Sequence, residues 1–151
     1  MADTSLLGVV VGGVIALAGF VVRDVLQEWR DKKKRRADKF EELVAAVYEF
    51  DHWIEAARDR YVYGRDVPET VSPFAKVQSN SSVYFPQFSA LANDVNEAAT
   101  DYRRWLIGAG EKRLNKDPAY LAGFIEAYEP YKRRRNALLD ALQKFARKHF
   151  K

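Results

Sequence analysis

Residues 40–61 read FEELVAAVYEFDHWIEAARDRY, and in this stretch Leu43, Val47, Phe50, Ile54, Ala57 and Tyr61 alternate at spacings of 4 and 3. On an α-helix that spacing lines up all six side chains as a seam for another helix. The seam serves either a helix of the same chain or a parallel copy from a second chain, and the pattern leaves both uses open.

Upstream, no Pro or Gly occurs between Gly19 and Gly64, so one helix runs unbroken for about 65 Å. Its early part is uncharged: residues 6–22, LLGVVVGGVIALAGFVV, cover roughly 25 Å of a bilayer core that measures roughly 30 Å. With Arg23 able to snorkel, this is a short transmembrane span. Asp3 precedes it and Lys32, Lys33, Lys34, Arg35 and Arg36 follow it, which sets the N-terminus outside and the rest of the chain in the cytoplasm. The same charge order argues against a cleaved signal peptide, although Ala16-Leu17-Ala18 has the small residues of a cleavage site.

Within the span, Ser5, Gly8, Gly12, Ala16, Gly19 and Arg23 fall inside an arc of about 80°. A stripe of small residues lets another backbone approach closely, and with one span per chain the partner helix must come from another chain. Ser5, Gly8, Gly12, Ala16 and Gly19 are therefore the expected self-association residues. Arg23, Arg30, Lys32, Lys33, Lys34, Arg35 and Arg36 are expected to fix topology and to contact anionic lipid headgroups.

Downstream of the seam, Pro86 opens a second helical segment carrying Phe88, Leu91, Val95, Ala98, Tyr102 and Trp105, and Gly108-Ala109-Gly110 marks its expected end. Asp117-Pro118 reads as the start of a third, with Leu121, Phe124 and Tyr128 on one side and Pro130 as a break or kink. A last helix presents Tyr131, Leu138, Leu142, Phe145 and His149 on one face. Only residues 71–77 and 82–85 look extended, inside a connection whose Val67, Val71, Phe74 and Val77 suggest packing over the bundle end. The fold class is thus all-α, with one N-terminal transmembrane helix continuing into a cytoplasmic antiparallel bundle of three to four helices. Residues 1–26 form the span, 27–39 a basic neck and 40–151 the bundle.

At 151 residues the chain holds one core, and with Cys at 0 it has neither disulfides nor thiolate chemistry. The net charge of +4 conceals two basic segments, residues 23–39 and 131–151, around an acidic middle. Lys132, Arg133, Arg134 and Arg135 could contact phosphate or lipid, although charge runs on helices usually form a solvated face. No aromatic-rich basic sheet or reading helix supports nucleic acid as a partner.

Catalytic signals are missing. His149 follows the apolar spacing, and His52 turns away from the seam. Glu49-Phe50-Asp51-His52 is half of a di-metal Glu-x-x-His pattern with no second copy. There is no Gly-x-Ser-x-Gly, phosphate-binding glycine loop or helical ribonuclease spacing. The expectation is a protein that is not an enzyme and has neither cofactor nor metal, self-associating in the membrane and recruiting a cytoplasmic partner. Two alternatives are a homo-oligomeric pore or effector and a tethered nucleic-acid module. One span before a compact helical domain is similar in architecture to bacterial membrane-anchored accessory proteins of antiviral defence, which implies a bacterial inner membrane; no motif carries that likeness.

Overall fold

A computed structural model of the chain describes the backbone of residues 3–150 and the side chains of residues 26–150. Four α-helices account for the regular structure: α1 (Asp3–Tyr61), α2 (Phe74–Tyr84), α3 (Ser89–Leu114) and α4 (Phe124–His149), with a single 3-10 turn, Pro86–Phe88, leading into α3. There is no strand among the described residues. The chain divides into two units, Met1–Asp38 and Lys39–Lys151.

Among the described residues no helix is long and apolar enough to cross a membrane. The expected span at 6–22, its stripe of Ser5, Gly8, Gly12, Ala16 and Gly19, and Arg23 all fall where side chains are not described.

In the second unit the seam of residues 43–61 closes on its own chain. Leu43, Val47, Phe50 and Ile54 are each at most 3% exposed. Ring contacts define the helix directions. Phe50 meets Phe74 at 5.3 Å and Phe40 meets Phe85 at 5.5 Å, so α2 runs back along α1. Phe88 meets Phe145 at 5.4 Å and Tyr102 meets Phe124 at 6.4 Å, so α3 and α4 are antiparallel. Phe40 also meets Phe145, at 5.3 Å, which brings the C-terminal end of α4 to the start of the seam. The result is an up-down-up-down bundle with one continuous apolar core.

Four boundaries differ from the sequence expectation, each for a local reason. α3 continues through Gly108 and Gly110 to Leu114. Gly110 is buried against α1, where a Cβ would lie 3.2 Å from Tyr61, so here glycine permits a close helix approach rather than a stop. Asp117-Pro118 begins a run of turns instead of a helix, with the Ala119 amide donating to Asp117 Oδ1 at 2.8 Å. α4 starts only after Gly123, whose φ of 80° ends the turns. Pro130 lies inside α4 without ending it. Its missing N–H affects one hydrogen bond early in the helix, while Tyr131 and Leu138 beyond it are locked into the core. Residues 74–84, read in part as extended, form α2, which buries Val77 and Ser81.

Gly64 closes the turn after α1 with φ +65°, and an added Cβ there would lie 2.5 Å from the Arg113 guanidinium. That guanidinium is held by its Nε donating to the Tyr61 carbonyl at 3.1 Å. Gly64→Ala is expected to lower stability by about 1–2 kcal/mol in thermal or urea melts, through left-handed strain and displacement of Arg113.

Candidate functional site

The most constrained polar group in the bundle joins α1 to α4. Tyr131 Oη donates to Asp51 Oδ1 at 2.7 Å, and Arg135 Nη1 donates to the two Asp51 oxygens at 2.8 and 3.0 Å. The periodicity of α4 puts residues 131 and 135 one turn apart on one side, so both reach one carboxylate. Next to them, Tyr102 is 1% exposed and its hydroxyl has no hydrogen-bond partner among the described residues. Arg58 lines the same site, and its own Nε is likewise buried and unpartnered. Asp51, Ile54, Glu55, Arg58, Tyr102, Tyr128, Tyr131 and Arg135 pack here without space for a water molecule.

Burial pushes the Tyr102 hydroxyl up to about 12. Burial, and then the hydrogen bond to the Asp51 carboxylate, raise Tyr131 still further. Burial alone would lower Arg135, but its hydrogen bond and charge pairing with Asp51 outweigh that and hold it firmly charged. This group can lock two helices together, and it is packed too tightly to admit a water molecule.

The two tyrosines give a pH dependence with a defined sign. A phenol titrates near pH 10 when unfolded, and the fold raises both, so their neutral forms stabilise the native state fully below pH 10. The Tyr102 contribution is lost as pH climbs from about 10 to about 12, and that of Tyr131 is lost at higher pH still. Absorbance titration is expected to show Tyr102 and Tyr131 ionising last among the 8 tyrosines, together with loss of helical circular dichroism.

A second feature lies between α1 and α3. An open groove of about 380 Å³ is lined by Phe50, Trp53, Ala99 and Ile107 on its floor, with Asn96, Thr100, Arg103 and Arg104 among its polar groups. Beside it the segment after α1 is strapped down. Glu69 pairs with Arg60 and with Arg103, each at 3.1 Å; Trp53 Nε1 donates to the Thr70 carbonyl at 2.9 Å; and Arg60 donates to the Val67 carbonyl.

The run of residues 132–135 is largely neutralised from within. Lys132 pairs with Glu129 at 3.1 Å, Arg134 with Glu97 at 2.8 Å and Arg135 with Asp51. Arg133 alone of the four is exposed without an acidic partner among the described residues. These partners lie in distant sequence for Arg134 and Arg135, which is why the tract reads as uniformly available from sequence. In the neck, Arg30, Lys32, Lys33, Lys34, Arg35 and Arg36 are all exposed; Lys32 pairs with Glu28 at 2.7 Å, and Lys33 Nζ sits 5.6 Å over the Trp29 ring.

His52 and His149 are both exposed, the latter resting on Phe145 at 4.3 Å, and Glu49 is paired with Lys76. No group of three or more metal-binding side chains occurs among the described residues. In the aromatic-rich segments 61–63, 84–85 and 105–107, Val62, Phe85 and Leu106 are core, whereas Tyr63 is 56% and Tyr84 45% exposed. Leu114, Leu121 and Ile125 are also exposed, in and around the turns joining α3 to α4. Leu121, expected on one helix face with Phe124 and Tyr128, stands instead in the turns before α4, where no helical face forms to bury it.

The fold and its polar centre define an all-α, four-helix class of protein. No family model, no curated protein and no solved structure matches the chain.

Proposed function

We propose that the chain is a non-enzymatic, single-pass membrane protein that self-associates through its span and presents its helical bundle to a cytoplasmic partner. The observation that carries this reading is the order of the segments. An uncharged stretch long enough to reach across a thin bilayer core is followed by a basic neck, exposed from Arg30 to Arg36, and then by a self-contained core.

Ser5, Gly8, Gly12, Ala16 and Gly19 provide the close-contact face for a second copy. The neck places basic side chains where anionic headgroups of the inner leaflet would meet them. Exposed Tyr63, Leu114, Leu121 and Ile125 supply apolar surface on which a partner protein could dock. The stabilising roles of Arg134 and Arg135 weigh against phosphate recognition by the C-terminal tract.

Gly12→Leu tests the assembly. Cross-linking of the full chain in membranes is expected to fall several-fold while the circular dichroism and melting of the bundle stay unchanged. Unaltered cross-linking would overturn the role of the stripe. If the intact chain instead forms a defined ring of more than about four copies and conducts ions, the same face lines a pore.

A further inference from the structure

Residues 26–36 carry two large apolar side chains that no local fold requirement explains. Leu26 is 50% and Trp29 62% exposed. At 100° per residue Leu26, Trp29, Arg30 and Lys33 fall within an arc of about 100° on α1. Glu28 and Asp31, the acidic residues of this segment, fall on the other side of the helix, and Glu28 is occupied by Lys32 at 2.7 Å. One face is therefore apolar and basic, and the carboxylates are kept off it.

We infer that this face of α1 is a docking surface for the headgroups of an anionic lipid leaflet, with Trp29 as its interfacial anchor and Arg30 and Lys33 as its phosphate contacts. The inference rests on the membrane-anchor reading and adds to it a named aromatic anchor and the one helix face that makes the contact.

The lengths agree with that placement. The uncharged residues 6–22 supply roughly 25 Å, about 5 Å short of a typical hydrocarbon core. Leu26 lies about 6 Å beyond Val22 along the axis, at the edge of a typical core, and Trp29 lies about 4.5 Å further, at headgroup level. Tryptophan is favoured in that layer because its ring is apolar and its N–H wet. Lys33, 5.6 Å above the Trp29 ring, holds a cation beside the anchor, where a lipid phosphate can share it.

Charge decides between lipid and a second copy as the occupant. Two copies meeting through this face would set Arg30 and Lys33 of one against those of the other, whereas an anionic leaflet complements them.

The test uses the full chain in vesicles of phosphatidylcholine with a minority of phosphatidylglycerol, comparing wild type with Trp29→Phe so that the difference in emission reports Trp29 alone. In one preparation the bromine label is on the phosphatidylglycerol, in the other on the phosphatidylcholine. Trp29 emission is expected to be blue-shifted and quenched. Quenching by the brominated anionic lipid should exceed its mole fraction several-fold, since each of the two basic side chains favours an anionic headgroup by about 1 kcal/mol. Arg30→Glu combined with Lys33→Glu should abolish that excess.

Quenching in proportion to mole fraction overturns the lipid preference. Water-like, unquenched emission, or a blue shift that depends on protein density without quenching, overturns the docking surface, the latter in favour of a second copy. Retention of the chain in vesicles after an alkaline carbonate wash is scored separately. A chain that stays in the pellet with unquenched Trp29 sinks this inference alone, and a chain that washes off sinks the anchor reading as well.

Discussion

Phe85→Ala is expected to destabilise the bundle by roughly 3–5 kcal/mol, seen in urea melts as a lower midpoint with an unchanged slope. Phe85 is 0% exposed. Its ring lies 5.5 Å from Phe40, 5.8 Å from Phe145 and 6.4 Å from Phe88, so it joins α1, α4 and the turn into α3 at one end of the core. Truncation removes the apolar area and leaves a cavity that three other rings, each fixed by its own helix, cannot fill by small shifts. The control is Val83→Ala two residues earlier, 69% exposed, which should change stability by no more than about 0.5 kcal/mol. Equal effects of the two substitutions would show that the aromatic end of the core is not packed as described.

Asp51→Ala is expected to cost about 2–4 kcal/mol, because it strips the partner from a mostly buried guanidinium and a buried phenol at once. The side chains of Asp51 and Arg135 are only 21% and 18% exposed. Tyr131→Phe, which removes one hydrogen bond and leaves the ion pair intact, should cost only about 1 kcal/mol. The contrast between the two separates the ion pair from the hydroxyl. If Asp51→Ala proves as mild as Tyr131→Phe, then Arg135 finds water on losing its partner and the lock between α1 and α4 is weak.

The parts of the fold that follow helical periodicity were legible in the sequence. Leu43, Val47, Phe50 and Ile54 on α1, Val95, Ala98 and Tyr102 on α3, and Tyr131, Leu138 and Leu142 on α4 are all core, at the spacings that marked them. Pro86 was correctly placed at the entrance to α3. What the pattern left open was whether the first seam is used within one chain or between two, since a seam alone does not identify its partner; α2 and α4 supply it.

Boundaries were less legible because they depend on tertiary contact. Gly108 and Gly110 carry the local signature of a helix end, yet Gly110 is where α3 lies against Tyr61. Pro130 carries the signature of a break, yet it precedes a tyrosine and a leucine that are each 1% exposed, and their packing keeps the helix continuous. Residues 74–84 have no strong helical pattern of their own and become a helix by resting Phe74 on Phe50 and Val77 in the core.

The polar centre was not legible at all. Asp51 appeared only as part of a Glu-x-x-His fragment, and Arg135 only as the end of a basic run, because their pairing spans 84 positions of sequence. In the C-terminal tract the sequence displays charge but hides that Glu97 and Asp51 have already taken two of its arginines. The neck is the converse case: its basic residues were legible, while the exposure of Trp29 beside Lys33 emerges only from the helix geometry.

A chain with Cys at 0 allows the central claim to be tested by labelling single introduced cysteines in the full-length protein. Ala2→Cys and Lys151→Cys variants are exposed to a membrane-impermeant maleimide in intact cells and again after lysis. A single-pass anchor with its N-terminus outside is expected to label Ala2→Cys in intact cells and Lys151→Cys only after lysis, with both variants retained in the membrane pellet after carbonate. Labelling of both sites only after lysis, with the protein recovered in the carbonate wash, would contradict the anchor and with it the proposed function.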